Sequence, residues 1–267
     1  MIDFTVKGKI AFVSGGGRGL GLTATKALLE NGAAKVYISS RNAAACAQAV
    51  KDLNSMPGIS GTVISIPADF TKLDQIKNVF GQISSENNGR LDIVIANAGA
   101  TWGSQIDSHP PEAFDRVFNL NLKGVFLTIQ QALPLLEKSG SATDPSRVLI
   151  IGSITGIMTA SGGGGGTYGY SISKAAVHHL TRLLSVELGP RNITVNAIAP
   201  GFFPSKMADG LISAVGKDNL SEANPRGRLG EPEDLESLTV FLCSKASSYI
   251  NGTIIPLDGG FHLVSKL

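Results

Sequence analysis

"KIAFVSGGGRGLGLTATKALLENG", residues 9–32, passes from one structural period to another within a single turn. Residues 9–15 read as a short apolar strand ending in glycine. From Leu20 to Asn31, apolar side chains at Leu20, Ala24, Ala27 and Leu28 recur with helical spacing. The link is "SGGGRGLG" (14–21). Glycines there permit a tight turn and close backbone approach, so a pyrophosphate can rest at the helix N-terminus, where amide donors and the dipole favour it. The spacing is Gly15-x-x-x-Gly19-x-Gly21 rather than G-x-G-x-x-G, and a plain tight βα turn would also account for it.

Outward from this unit the alternation persists. Strands are expected at 35–40, 62–67, 91–99, 147–153, 193–201 and 252–260. Helices are expected at 43–54, 72–86, 112–138, 171–188 and 231–244. The strands are almost continuously apolar, as strands buried on both faces must be. The expected fold class is therefore α/β, a doubly wound Rossmann-type parallel sheet in a single domain. No internal repeat or domain linker interrupts it. The mostly polar stretch 202–230 is expected to be an inserted substrate flap.

Composition agrees. The chain has 267 residues, 43% hydrophobic and 16% charged, which suits a globular domain with a substantial core. A formal net charge of +2, without a Lys/Arg run, gives no sign of nucleic acid or anionic membranes as partners. No apolar run approaches the ~20 residues that span a bilayer. Cys46 and Cys243 form neither a disulfide framework nor a metal-ligand spacing, and His178 and His179 have no third ligand spaced to complete a metal site. They read as packing or interface residues. A soluble cytoplasmic protein without a metal is expected.

The dinucleotide fingerprint places an acid about 20 residues beyond the glycines, on the ribose 2′-hydroxyl. Here the position holds Arg41, in "ISSRN". A guanidinium suits a 2′-phosphate that an acid would repel, so NADP(H) is the expected cofactor, with Arg18 and Ser40 assisting.

Taken in order, these residues resemble the short-chain dehydrogenase/reductase family, single-domain type, over essentially the whole chain. Its glycine motif matches Gly15, Gly19 and Gly21. The acid that holds the adenine amino group matches Asp69 in "ADF". Its "NAG" matches Asn97, Ala98 and Gly99, and the helical asparagine of N-x-x-G matches Asn121. The strand-end serine matches Ser153, and Tyr-x-x-x-Lys matches Tyr170 and Lys174. "PG" matches Pro200 and Gly201, with Ser205 where a threonine is common. "APGFFPSKM" and "DGGFHL" look most like 3-oxoacyl-thioester reductases of the rhamnolipid type. The resemblance also implies cofactor contacts at Leu20, Phe70 and Phe203, and a homotetramer or homodimer. The helix at 171–188 adds to the latter, being apolar on more than one face.

The chemistry suits those residue types. A ketone accepting hydride develops an alkoxide that needs donors where the charge appears. Tyr170 would supply the proton, its pKa brought down by Lys174 one helical turn away. Ser153 would hydrogen-bond the carbonyl oxygen, and Asn121 would position a water leading to Lys174. Tyr168 has Ile172, not a cation, four residues on, and is expected to line the substrate pocket. Ser153 and Tyr170 are further apart than is usual in the family, and the excess coincides with Gly162–Gly166: a mobile lip over the site, or slack without a role. The leading function is an NADPH-dependent reductase of a ketone or 3-oxoacyl substrate, with a small-molecule carbonyl or alcohol as its partner. An oxidative polyol, steroid or other secondary-alcohol dehydrogenase is the second reading, and a non-catalytic NADP(H) sensor the third.

Overall fold

Phe12 and Tyr37 point to one side of a sheet, Val13 and Ile38 to the other, and all four are fully buried. Fully burying such a side chain contributes roughly 1.5–3 kcal/mol, so a strand carrying them on both sides is stable only between two layers of helices. The computed structural model describes residues 3–159, 166–206 and 208–264. Among them lie β1 (Ile10–Ser14), β2 (Lys35–Ser39), β3 (Thr62–Ser65), β4 (Ile93–Ala96), β5 (Ser146–Ile151), β6 (Ile193–Pro200) and β7 (Ile254–Leu257). They form one parallel sheet in the order β3-β2-β1-β4-β5-β6-β7. This is the expected doubly wound Rossmann-type α/β fold.

The α-helices are α1 (Gly19–Glu30), α2 (Ala43–Asn54), α3 (Leu73–Glu86), α4 (Pro111–Phe118), α5 (Val125–Ser139), α6 (Tyr168–Leu188), α7 (Asp209–Val215), α8 (Lys217–Glu222) and α9 (Pro232–Cys243). Leu28, Ala49 and Leu235 carry α1, α2 and α9 into one core. Ile76, Ile129 and Val177 carry α3, α5 and α6 into the other. Local signals begin several of these helices. Asn42 caps α2 by accepting from the Ala45 amide, Pro111 and Pro232 stand at first-turn positions, and Glu231 and Asp234 form a capping box on α9.

The order reverses between β1, whose successor β2 lies to one side, and β4, which lies to the other. At such a switch point the loops leaving the C-terminal strand ends diverge and open a crevice.

Four elements differ from the sequence expectation. The helix expected over 112–138 is two helices joined by a π-helical segment, Asn119–Gly124. A wider turn there rotates the side chains that follow, a change that hydrophobic spacing does not report. The helix expected from 171 begins at Tyr168, so both tyrosines lie on it. The polar stretch 202–230 contains α7 and α8, and the last strand is shorter than expected.

Candidate active site

The glycine turn sits at the switch point, fastened to β4 by polar contacts. The Ser14 hydroxyl accepts from the amides of Asn97 and Ala98, each at 3.0 Å. The Asn97 side chain donates back to the carbonyls of Ser14 (3.0 Å) and Gly15 (3.3 Å). This fastening dictates two glycines. Gly15 has φ +69°, and a Cβ there would lie 2.7 Å from Asn97 Nδ2. At Gly21 a Cβ would overlap the Gly15 carbonyl. Gly19 is open, with Ser205 Cβ the nearest atom at 3.9 Å, and Leu20 is half-buried beside it. Arg18 takes the cap position of α1 in extended conformation and gives it no side-chain hydrogen bond, and no acid stands in the first turn. The leading amides of α1 thus retain their capacity for an anion.

The other end of the crevice follows β2 and β3. Arg41 and Arg18 are exposed, and Ser40 is half-buried, its hydroxyl accepting from the Asn42 amide at 3.2 Å. Asp69 accepts from the Thr71 amide (3.0 Å) and hydroxyl (2.8 Å). Desolvation alone would raise its pKa. The Thr71 bonds, with the charges of Arg41 and Lys72, outweigh that and hold it below the usual value. Phe70 packs on Phe12 and is buried, so its side chain belongs to the core.

The third group lies where β5 and α6 meet. Ser153 is buried just beyond β5, its hydroxyl accepting from the Thr155 amide (3.2 Å) and hydroxyl (3.0 Å). Lys174 is buried, and its ammonium donates to the Ile151 carbonyl at 2.7 Å. Its Nζ stands 5.5 Å from the centre of the Tyr170 ring. Gly99 faces both Lys174 and Asn121, since a Cβ there would lie 3.8 Å from Lys174 Nζ and 3.4 Å from Asn121 Oδ1. The structure thus gathers residues from four separate segments.

Two expectations about this group are corrected. Lys174 does not bring down the Tyr170 pKa: burial raises it above 10.0, and a hydrogen bond with Ser153 offsets only part of the rise. Burial also lowers Lys174 to about 8. In a poorly solvated pocket both groups favour their neutral forms, and the ammonium is directed to a backbone carbonyl. Tyr170 is therefore held as a phenol, a proton donor. Asn121, in the π-helical segment, is also more engaged than expected. Its Nδ2 donates to the Ala100 carbonyl (2.9 Å) and Ser173 hydroxyl (3.0 Å), and its Oδ1 accepts from the Ala100 amide (2.8 Å). Only a remaining lone pair and its backbone are left for a water.

Pro200 ends β6 opposite Leu257, and the Gly201 amide donates to the Leu257 carbonyl at 2.9 Å. Phe203 is buried against Gly230, whose Cβ would fall within its ring, so its side chain is structural. Ser205 accepts from the Ala208 amide at 3.3 Å, and its approach to Gly19 brings the start of the 202–230 stretch over the glycine turn. Tyr168 lines an open cleft of about 430 Å³ with Ile106, His109, Pro111, Phe114, Asp115 and Ile172. Of the glycine tract, residues 162–165 lie outside the described residues; Gly166 pairs with Ser104, its carbonyl accepting from that amide at 3.3 Å.

Sequence reasoning passed over Ser14 and Ser173. Ser14 is the last residue of the strand entering the glycine turn, and Ser173 lies inside the Tyr-x-x-x-Lys spacing, but neither position by itself announces a hydrogen bond to a distant segment. Among the described residues no group of three potential ligands could hold a metal, and no helix is long and apolar enough to cross a membrane.

A family model described as enoyl-(acyl carrier protein) reductase matches residues 15–262. The rhamnolipids biosynthesis 3-oxoacyl-(acyl-carrier-protein) reductase of Pseudomonas aeruginosa is 42% identical over 263 residues, 97% of this chain and 98% of that one. A 3-oxoacyl-(acyl-carrier-protein) reductase of Thermotoga maritima is 33% identical over 258 residues, 96% of this chain and 98% of that one. Among solved structures, the Pseudomonas aeruginosa RhlG/NADP active-site complex superposes with a TM-score of 0.89 at 40% identity, covering 98% of this chain and 99% of that one. With the glycine turn, "NAG", the strand-end serine and Tyr-x-x-x-Lys all carried at one crevice, this chain belongs to the short-chain dehydrogenase/reductase family.

Proposed function

We propose that this protein is an NADP(H)-dependent carbonyl reductase, moving hydride between the nicotinamide and a ketone or 3-oxoacyl substrate. The observation that carries the reading is the half-buried Tyr170, its phenol desolvated and with Ser153 and Lys174 beside it, at the C-terminal ends of the strands that also present the glycine turn.

The crevice fits the dinucleotide. Gly15 and Gly21 let the turn fold tightly against Asn97, Gly19 stands open, and the start of α1 offers amides without a side-chain cap. Gly15, Arg18, Gly19, Leu20 and Gly21 would take the pyrophosphate. Arg41 with Ser40 would take the 2′-phosphate, and Asp69 the adenine amino group. Asn97, Ala98, Gly99 and Lys174 would lie along the nicotinamide riboside, closed over by Pro200, Gly201 and Ser205. When bound, NADPH supplies the hydride.

The chain's own residues do the rest. Ser153 orients the carbonyl by donating to its oxygen. Tyr170 transfers its phenolic proton to that oxygen as negative charge develops, and is reprotonated from solvent by way of Lys174. A phenol whose pKa is raised stays protonated until the alkoxide, a far stronger base, forms beside it.

The similarity to 3-oxoacyl-(acyl-carrier-protein) reductases supports a 3-oxoacyl thioester as substrate, and the apolar cleft beside Tyr168 is consistent with an alkyl chain. The 202–230 stretch would serve as a flap. Exposed Ile172, Leu183 and Val186 along α6 support a homodimer or homotetramer. The buried, unpaired cysteines accord with a cytoplasmic site of action.

The test is NADPH oxidation by the purified protein across simple ketones, quinones, sugars and 3-oxoacyl thioesters, with light scattering for assembly. Turnover highest on a 3-oxoacyl thioester is expected. Tight NADPH binding without turnover of any carbonyl would overturn the reading in favour of a sensor.

A further inference from the structure

His178 is fully enclosed, one helical turn beyond Lys174 on α6, while its neighbour His179 is exposed. An imidazole in such a place is ordinarily satisfied at both nitrogens, yet Nε2 has no hydrogen-bond partner. What the ring does have is a fixed slot. A Cβ on Gly152 would overlap Nε2 and fall 2.8 Å from Cδ2, and a Cβ on Gly156 would fall 2.9 Å from Cε1. The ring is thus wedged between the two glycines that bracket Ser153 and Thr155, with the Gly156 backbone beside its other nitrogen.

Three facts tie this wedge to the proposed chemistry. The peptide it presses against begins at Ile151, whose carbonyl receives the Lys174 ammonium. The Gly152 amide is itself held by the Ile198 carbonyl at 2.7 Å, so the strand side is fixed, while on the turn side Gly156 meets both the Lys174–Ala175 backbone of α6 and the ring. Burial and the nearby Lys174 charge keep the imidazole neutral, its pKa lowered to about 4, so it fills the slot without adding a second cation beside Lys174.

We infer that His178 is a positioning residue for the reaction proposed above: its ring, wedged between Gly152 and Gly156 with an N–H available to the Gly156 backbone, helps hold the 152–156 turn so that the Ser153 hydroxyl faces the same point as Tyr170 and Lys174. It touches neither substrate nor cofactor. The inference rests on the reductase reading, since only a group that must meet a carbonyl oxygen needs such placement.

The prediction separates shape from hydrogen bonding. His178→Leu fills much of the slot but offers no N–H to the Gly156 backbone. His178→Asn is smaller and retains an N–H near the position of Nδ1. His178→Leu should lower kcat about 10-fold or more on the best carbonyl substrate, leaving KM for NADPH and fluorescence-measured NADPH binding within about twofold. His178→Asn should recover kcat to within about threefold of the unmutated enzyme. Gly152→Ala should lose kcat as His178→Leu does, and combining it with His178→Asn should restore part of the loss, because the smaller side chain vacates the space the new methyl needs.

Several outcomes overturn the inference: unchanged kcat in His178→Leu, equal losses in the Leu and Asn variants, or kcat lost in proportion to melting temperature and NADPH binding. A Gly152→Ala loss that His178→Asn deepens overturns it too. The unmutated enzyme tests the reductase reading separately: if it turns over no carbonyl, that reading fails, whereas a working enzyme indifferent to residue 178 sinks only this one.

Discussion

The glycine turn and the Tyr170 cluster lie at the same end of the sheet and are built on opposite principles. The turn is contiguous: residues 14–21 supply its backbone, its outer glycine is open, and its leading amides carry no side-chain cap. The cluster is assembled from Asn121, Ser153, Tyr170 and Lys174, three of them buried below a tenth exposure, with their polar atoms already paired. An anion can be met by local dipoles that point outward. Proton transfer to a carbonyl needs groups whose acidity is altered, and at Tyr170 and Lys174 removal from water makes the largest change. One region therefore depends on backbone geometry and the other on desolvation.

The widest test of that contrast is Tyr170→Phe, which preserves the ring and removes one hydroxyl. Turnover should fall about 10²–10⁴-fold while NADPH still binds. Stopped-flow measurement of hydride transfer checks it, and a variant that keeps its rate would remove the cluster from the mechanism.

Gly21→Ala makes the reciprocal change. Its methyl would push against the Gly15 carbonyl, so the turn must open. NADPH binding should weaken by about 10–100-fold, seen in fluorescence titration, whereas the pH dependence of the residual turnover should be unchanged.

Lys174→Met tests the desolvation side through stability. The buried ammonium has its pKa lowered from 10.5 to about 8. Below pH 8 both folded and unfolded chains hold the proton, and the folded state bears the whole cost of burying the charge. Between pH 8 and 10.5 the unfolded chain keeps a proton that the folded one has released, so stability rises with pH across that window. Lys174→Met should abolish turnover yet stabilise the fold at neutral pH by on the order of 1–3 kcal/mol, less whatever the unpaired Ile151 carbonyl costs. That advantage should shrink in denaturant melts from pH 8 towards 10.5. An advantage that grew with pH would mean the lysine is not desolvated.

Arg41→Asp has the smallest expected effect, because Arg41 is exposed and solvent screens its charge. It should reduce a preference for NADPH over NADH by about tenfold, read as the ratio of kcat/KM values. Equal use of both cofactors by the unmutated enzyme would end the assignment of Arg41.

The alternation of apolar strands with helical stripes was legible from residue 9 onward because the inner strands bury two faces and the helices one, and both periods are local. The glycine positions were legible for a similar reason: backbone amides and the room around them are fixed within a few residues. Tyr-x-x-x-Lys was legible as one turn of helix. Tertiary structure alone decided where those side chains look and what that does to them. Spacing put Lys174 beside Tyr170, but the Ile151 carbonyl, on a strand far away in sequence, takes its ammonium. The π-helical segment directs Asn121 onto Ala100 and Ser173, and two glycines of the β5 loop enclose His178. Propensity and period follow from neighbours along the chain, whereas desolvation and the pairing of each polar atom follow from neighbours in space.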